Sequence, residues 1–445
     1  MSWKDDKGLG PWTFSKSTAD NQYNEGNLIA TAANPVWSMD RTGVPITPTH
    51  DPCGYWVNNP VPDVPVSVGG SLYVAGKSTT YYSLFGPGTN SNYLEINTGI
   101  PASVWTNVYG IGGSTVMKNS NGELWGCGRN RYGVLGLGHD DVIYDPWGNV
   151  DPETPYTPSS DPYAVKLDLP DGVVKDYNIS STSVLLLEDG TIWTAGLNDE
   201  GALGVGDLED KWVYTQESLG KTDWKSIFSR WENNTYGIDS SNTLWGCGTT
   251  YRYELGYAIT APPYSELVFV PILEDVATGC SNTRGCFAIR TDGSLYFTGR
   301  SFYYANGLGV APNYYVDGFT KIGTDTWTSI DATFNHSIGI KTDGTMWGCG
   351  LSNEGQLGLP ASVSTFTQIG TDTDWVEIKC SSYFSIAKKT DGSLWSAGRN
   401  IYQIPLGLGP DSPSAVDEFT KVPEPQGAVW LDYTVNENFM AIKQE

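Results

Sequence analysis

One motif recurs seven times along the chain and limits its fold more than any other feature. It is a short turn followed by apolar–aromatic–small–small–Gly, then a loop ending in Leu-Gly. The copies begin at Gly70-SLYVAGK, Gly122-ELWGCGR, Gly190-TIWTAGL, Asn242-TLWGCGT, Gly293-SLYFTGR, Gly344-TMWGCGL and Gly392-SLWSAGR. Their aromatic residues are Tyr73, Trp125, Trp193, Trp245, Tyr296, Trp347 and Trp395, spaced by 52, 68, 52, 51, 51 and 48 residues. A chain written this way builds one small unit over and over.

Each unit reads as four short strands. A Trp-led strand comes first, as in Trp105-TNVYG, Trp224-KSIFS, Trp327-TSIDA and Trp375-VEIKC. An apolar strand follows, as in Ser183-VLLLE, Cys286-FAIRT, His336-SIGIK and Phe384-SIAKK. Asp-Gly or Asn-Gly then predicts a two-residue type I′ hairpin, whose central positions need φ > 0. The aromatic strand is next, with its Trp or Tyr expected in the core. A Gly-rich segment closes the unit: Gly133-VLGLG, Gly201-ALGVG, Gly355-QLGLP. Four strands in about 50 residues make one blade of a β-propeller. The C-terminal stretches Trp430-LDYTV and Phe439-MAIKQE match the first half of a unit, and Gly69-Gly70-SLYVAG supplies the missing second half. The predicted fold is therefore all-β: a seven-bladed β-propeller over residues 67–445, closed by the N- and C-terminal strands of one blade. Residues 1–66 precede it as an irregular, extended N-terminal arm.

Composition supports this reading where it bears on function. The 445 residues include 52 Gly, 17 Trp, 26 Tyr and 13 Phe, a β-rich and turn-rich usage. The formal charge is −24, with only 26 Lys and Arg, so no cationic surface for nucleic acid or an anionic membrane is expected. No apolar run approaches the ~20 residues needed to span a bilayer. The opening Met1-Ser-Trp-Lys-Asp-Asp lacks the apolar stretch of a secretory signal.

The pattern Asp-Gly-x-Leu-Trp-x-x-Gly-x-Asn-x-x-Gly-x-Leu-Gly, clearest in Asp343-GTMWGCGLSNEGQLG and Asp189-GTIWTAGLNDEGALG, resembles the regulator-of-chromosome-condensation repeat family. The resemblance covers about 85 % of the chain and implies the propeller fold. It implies little about activity, because the family includes exchange factors, enzyme inhibitors, photoreceptors and virion proteins. The family's chromatin-binding member uses a basic N-terminal tail. Here the arm carries Lys4, Lys7, Lys16 and Arg41 against Asp5, Asp6, Asp20, Glu25, Asp40, Asp51 and Asp63, a net −3. The family's photoreceptor packs cations on Trp within Gly-Trp-Arg-His-Thr, whereas this chain has Trp-Gly-Cys-Gly. Neither role is carried over.

No catalytic set is expected. Cys127, Cys247 and Cys349 share a slot that holds Ala75, Ala195, Thr298 and Ala397 in other units, so they read as buried small residues. Cys380 and Cys280 are matched to the small slot that ends the Trp-led strand, and a Cys280–Cys286 bridge stays open. His336 reads as a hydrogen-bonded histidine at a strand end. The long loop 139–161 holds Asp140, Asp141, Asp145, Asp151, Glu153 and Asp161 without the alternate spacing calcium needs, and reads as a solvated acidic loop. No metal or cofactor is expected.

Tyrosines collect in the loops after the aromatic strand: Tyr81 and Tyr82, Tyr251 and Tyr253, Tyr303 and Tyr304, Tyr314 and Tyr315. Equivalent loops emerge on one face of a ring, so these residues form the candidate interaction face. Trp3, Trp12, Trp37 and Trp56 are the candidate anchors by which the arm docks on other proteins of an assembly. The expected function is non-enzymatic. The leading expectation is a bacteriophage virion component, a capsid-decoration or tail protein in an extracellular particle. The alternatives are a regulatory protein-binding propeller, exchange-factor-like or an enzyme inhibitor, with a cytoplasmic location, and a glycan-binding propeller for a host surface.

Overall fold

The computed structural model describes residues 105–444, apart from 112–113, 129, 140–164, 231–233, 263, 311–313, 401–405, 409–412, 424–428 and 436–438. It also describes short strands at 2–3, 12–13, 71–77 and 90–95. These residues form a ring of seven blades. Blade II contains strands Trp105–Ile111, Ser114–Asn119, Leu124–Gly128 and Val165–Lys166. Blade III contains Val174–Ile179, Thr182–Leu187, Ile192–Gly196 and Lys211–Gln216; blade IV contains Trp224–Ser229, Asn234–Asp239, Leu244–Thr249 and Ser265–Leu273. Blade V contains Val276–Asn282, Gly285–Arg290 and Ser294–Arg300. The long strand Tyr315–Ala332 pairs with blade V through Thr326 and with His336–Lys341 from Trp327 onward, so one strand ends blade V and opens blade VI. Blade VI continues with Met346–Gly350 and Val363–Ile369; blade VII contains Trp375–Cys380, Phe384–Lys389, Leu394–Arg399 and Ala415–Lys421. All pairings within blades are antiparallel.

Blade I is the predicted seam. Val429–Val435 pairs with Phe439–Gln444, which pairs with Ser71–Lys77, which pairs with Asn90–Glu95. The ladder Phe439↔Ala75 to Lys443↔Ser71 joins the two ends of the ring, so no strand edge is left open there. The first strand of every blade contacts the first strands of both neighbours right round the circle, which places the Trp-led strands innermost. In the arm, Ser2–Trp3 pairs with Trp12–Thr13, so Trp3 and Trp12 are cross-strand partners. Trp37 and Trp56 lie outside the described residues.

The core lies between blades. Second strands such as Thr182–Leu187 and His336–Lys341 are buried on both faces, because each blade is covered by two others. One apolar cluster joins Val116 and Leu124 of blade II to Leu185 and Tyr214 of blade III; another joins Ile338 and Leu357 of blade VI to Trp375 and Ile378 of blade VII. The tryptophans divide by strand. Trp105, Trp224, Trp327, Trp375 and Trp430 of the inner strands are buried. Trp193, Trp245, Trp347 and Trp395 of the aromatic strands are only half-buried, so the expectation that these form the core is corrected. A Cβ at Gly339 would sit 2.8 Å from the Trp327 ring, so glycine on the second strand gives the inner Trp its space.

The hairpin type also differs from expectation. Gly190, Gly293, Gly344 and Gly392 have φ near +80°, but the preceding Asp residues are not at positive φ. Gly190 N–H donates to Leu187 O and Leu187 N–H to Thr191 O, closing a three-residue turn that ends in a left-handed glycine rather than a type I′ pair. The aspartate instead caps the turn. Asp343 Oδ1 accepts from Thr345 N–H (3.0 Å) and Oγ1 (2.6 Å), and Trp347 Nε1 donates to Thr345 Oγ1 (2.8 Å). The same relay runs Asp189–Thr191–Trp193 and Asp391–Ser393–Trp395. Hydrogen bonds from Thr345 hold the Asp343 carboxyl below its ordinary pKa, and those from Ser393 do the same for Asp391.

Cys247, Cys280, Cys286, Cys349 and Cys380 are free and buried, which closes the question of a Cys280–Cys286 bridge. Burial pushes their thiols well up, away from reactivity. Cys247 and Cys349 fill the small slot and also donate to Ala202 O and Ala305 O of the preceding blade. Cys280 departs from the expected register. It occupies the fourth place after Val276, equivalent to Phe228 and Asp331, and Ser281 fills the small slot.

Candidate functional site

The alternation of strands sends two kinds of connection to each end of every blade. The Asp-Gly hairpins share one face of the ring with the links between blades. The loops after the first and third strands share the other. The two faces differ in chemistry.

On the hairpin face, cations are held inside aromatic cages. Lys341 Nζ lies 3.2 Å from the Trp347 ring centroid and 5.4 Å from that of Trp327, and pairs with Asp325 at 2.9 Å. Lys389 lies 4.6 Å from both Trp375 and Trp395 and pairs with Asp372 (2.6 Å) and Asp374 (3.0 Å). Lys221 sits over Trp245 and Trp224 and pairs with Asp223 and Asp239. Cation–tryptophan packing is thus present here with lysine as the cation. These charges are satisfied internally. An open cleft of about 480 Å³ between blades III and IV also lies on this face; its lining, which includes Lys175, Asp189, Asp223 and Lys225, mixes both signs of charge.

The loop face carries the predicted tyrosines. Tyr251, Tyr303, Tyr314 and Tyr315 are 60, 43, 53 and 41 % exposed, values high for large aromatic side chains. Tyr253 stands edge-on to Tyr315 (6.5 Å), and Tyr251 to Tyr264 (6.0 Å). Tyr303 meets Phe334 of the next blade at 5.8 Å, and Phe302 meets the same ring at 4.4 Å. The six described tyrosines of the predicted face, Tyr304 among them, therefore gather on blades IV and V. Tyr81 and Tyr82 lie outside the described residues.

Sequence reasoning missed three arginines among them. Arg252 stacks on Tyr251, and Arg300 lies over Phe302 (4.2 Å) and Tyr315 (5.4 Å). Arg284 belongs to the loop after the first strand of blade V, and its carbonyl accepts from Arg300 N–H. Burial, then the positive charge of Arg252, with Arg300 adding, holds the Arg284 guanidinium below its ordinary pKa; Glu254 and Glu200 act in the opposite sense. Glu254 is buried beneath this group. Its Oε2 accepts from Arg252 N–H (2.7 Å), while Arg252 Nη1 stays 3.9 Å from Oε1. Burial raises the Glu254 carboxyl to about 7. Buried Arg252 Nε, Arg300 Nε and Glu254 Oε1 have no hydrogen-bond partner.

The backbone here is also unusual. The third residue after the loop start is glycine in blades III and VI, Gly201 and Gly355, at φ of 76° and 78°. In blades IV and V the same slot holds Tyr253 (φ 64°) and Tyr304 (φ 66°). A left-handed conformation costs a bulky L-residue about 1–2 kcal/mol.

His336 is structural. Its Nδ1 contacts Asn335 Oδ1 (2.9 Å) and Thr333 Oγ1 (3.1 Å), and its Nε2 contacts Ser385 Oγ of blade VII (2.8 Å). Burial lowers its pKa to about 3, so it stays neutral and ties two blades together. Arg230, at the inner end of blade IV, bonds Asp331 Oδ1 of blade VI (2.9 Å) and donates to Cys380 O of blade VII. Among the described residues no group of three or more His, Cys, Asp or Glu is placed to hold a metal ion. The acidic loop 140–161 lies outside the described residues.

The sequence model of the family described as "Regulator of chromosome condensation (RCC1) repeat" matches residues 327–356. No curated protein matches the chain by sequence. Three solved structures share the fold. Prp20p of Saccharomyces cerevisiae, described with its binding to Gsp1p and histones, is 16 % identical at TM-score 0.69, covering 88 % of this chain and 94 % of that one. Yeast RCC1 (Prp20) bound by Kap60 is 13 % identical at TM-score 0.69, covering 97 % of each chain. Human WBSCR16 is 15 % identical at TM-score 0.65, covering 85 % of this chain and 99 % of that one. These relatives overturn the expectation of a bacteriophage virion protein in an extracellular particle: they are yeast and human proteins, and the partners named for Prp20 are Gsp1p, histones and Kap60. By repeat and by ring, the chain is a seven-bladed propeller of the regulator-of-chromosome-condensation type.

Proposed function

We propose that this protein is a non-enzymatic regulatory propeller that binds a partner protein through its loop face. The observation that carries this reading is the gathering of exposed tyrosines on blades IV and V, opposite a hairpin face whose caged lysines are paired internally. Tyrosine offers large contact area at low entropy cost, which suits a protein interface. The partners named for Prp20 support protein binding as the class of activity.

A photo-crosslinking amino acid placed at Tyr303 or Tyr315, and at Lys225 on the hairpin face as a control, tests this in cells. Adducts to one protein from the first two positions and not from the third are expected. Adducts only from position 225, or none from positions 303 and 315, overturn the reading. If the captured partner is a small GTPase, release of labelled nucleotide separates an exchange factor from an inhibitor.

A further inference from the structure

We infer that Arg252, Arg284 and Arg300, framed by Tyr253 and Tyr315, form a site for a short acidic segment of the partner protein. This rests on the protein-binding reading above and names what the loop face recognises.

Three observations converge. The first is charge. In a chain of net −24 with 26 cationic residues, Arg300 N–H donates to Arg284 O (2.7 Å), and the charges of both Arg252 and Arg300 act on the Arg284 guanidinium. Like charges repel, so such a group is tolerable mainly where a counter-charge arrives. Among the described residues, Arg284 and Arg300 have no carboxylate within 4 Å, and Arg252 has only the loose 3.9 Å approach to Glu254. The second is unused hydrogen-bonding capacity. Arg252 Nε and Arg300 Nε are buried donors without acceptors, and a carboxylate is the acceptor that matches a guanidinium fork. Their planes are fixed by stacking on Tyr251, Phe302 and Tyr315.

The third is backbone strain. Tyr253 and Tyr304 occupy the left-handed slot that glycine fills in blades III and VI. Nothing in the ring requires a side chain there, since the neighbouring blades close without one. Among the described residues a tyrosine takes this slot only in the two blades that carry the arginines, and the Tyr253 ring stands edge-on to Tyr315, the ring under Arg300, which points to a use for it. Aromatic walls beside guanidinium floors suit a segment of Asp or Glu mixed with apolar residues. Nucleic acid does not fit, because the surrounding charge of −24 repels a long polyanion.

The probe is a pair of rhodamine-labelled decapeptides, one alternating Glu with Trp and Pro and one with Gln in place of Glu, read by fluorescence anisotropy with the full chain. A labelled oligothymidylate is the third probe. The Glu peptide is expected to bind at least tenfold more tightly than the Gln peptide, with affinity falling as salt rises. Arg284→Ala and Arg300→Ala should each remove most of that difference, and Arg300→Lys should restore only part of it. Tyr253→Gly should weaken binding while leaving the melting temperature unchanged or raised. Equal binding of the two peptides, preference for the oligothymidylate, or arginine variants indistinguishable from the parent overturns the inference. If Tyr303 and Tyr315 crosslinks to a partner persist while the arginine variants bind that partner normally, the loop-face reading stands and the acidic-segment inference fails. If the crosslinks are absent as well, both fail.

Discussion

The two faces of the ring are built from the same repeat and end in opposite states. On the hairpin face the aspartate caps its turn, Thr or Ser passes the hydrogen bond to the tryptophan, and lysine sits between two indoles with aspartate beside it. On the loop face of blades IV and V, Arg252 and Arg300 stack on tyrosines, Arg300 has no carboxylate within 4 Å among the described residues and Arg252 only the 3.9 Å approach of Glu254, and two tyrosines hold a conformation meant for glycine. A repeat supplies stability through groups every copy shares. It supplies recognition where single copies depart from the pattern and leave charged groups such as the Arg300 guanidinium without an acceptor at Nε.

This contrast can be broken by substitution, with the largest effects expected inside the hairpin side. Trp327→Ala removes a buried inner-strand ring and should cost about 3–5 kcal/mol by chemical denaturation. Trp347→Ala, half-buried under Lys341, should cost clearly less, about 1–2 kcal/mol; equal losses would remove the distinction between inner and aromatic strands. Titration gives the next effect. The folded pKa of Glu254, about 7, lies above its ordinary 4.5. Between those values the folded chain keeps a proton that the unfolded chain has lost. Its contribution therefore lowers stability as pH rises from about 4.5 to about 7, by on the order of 3 kcal/mol. Glu254→Gln should flatten that slope. His336 runs the other way: its folded pKa of about 3 lies below 6.5, so stability gained from it rises across that window. Denaturation midpoints of the parent and of Glu254→Gln against pH separate the two: the difference between them reports Glu254, and the rise that remains in the variant includes His336.

Smaller effects sharpen the glycine-slot comparison. Thr345→Val breaks the aspartate–tryptophan relay and should cost about 1–2 kcal/mol. Gly355→Ala should cost about 1–3 kcal/mol, because its Cβ would lie 2.6 Å from Val416 O at a φ of +78°. Tyr304→Gly, the reverse exchange in blade V, should leave stability within about 1 kcal/mol of the parent. A large loss there would mean that the tyrosine is held by packing rather than by function.

Much of the ring was legible because the sequence states it seven times. The seam was legible because Trp430-LDYTV and Gly70-SLYVAG are halves of one sentence. The hairpin type was not, since Asp-Gly serves two turn families and only the φ of the aspartate separates them. The half-exposure of Trp347 was hidden because its covering cation, Lys341, stands on a different strand. The described tyrosines of the face could be read from loop position alone. Their arginines could not. Arg252 follows the third strand of blade IV, Arg284 joins the first two strands of blade V, and Arg300 ends its third. Only the shared face of these connections brings them together.

The seam sets a clock on the making of this protein. Ala75 must wait for Phe439 before its strand has a neighbour on that side. At ordinary rates of synthesis the interval is roughly 20–70 s. Throughout it, six blades can assemble in order from the ribosome while the first strand stays unmatched. A chain that stops a few residues early would lose not a tail but the closing of the whole circle.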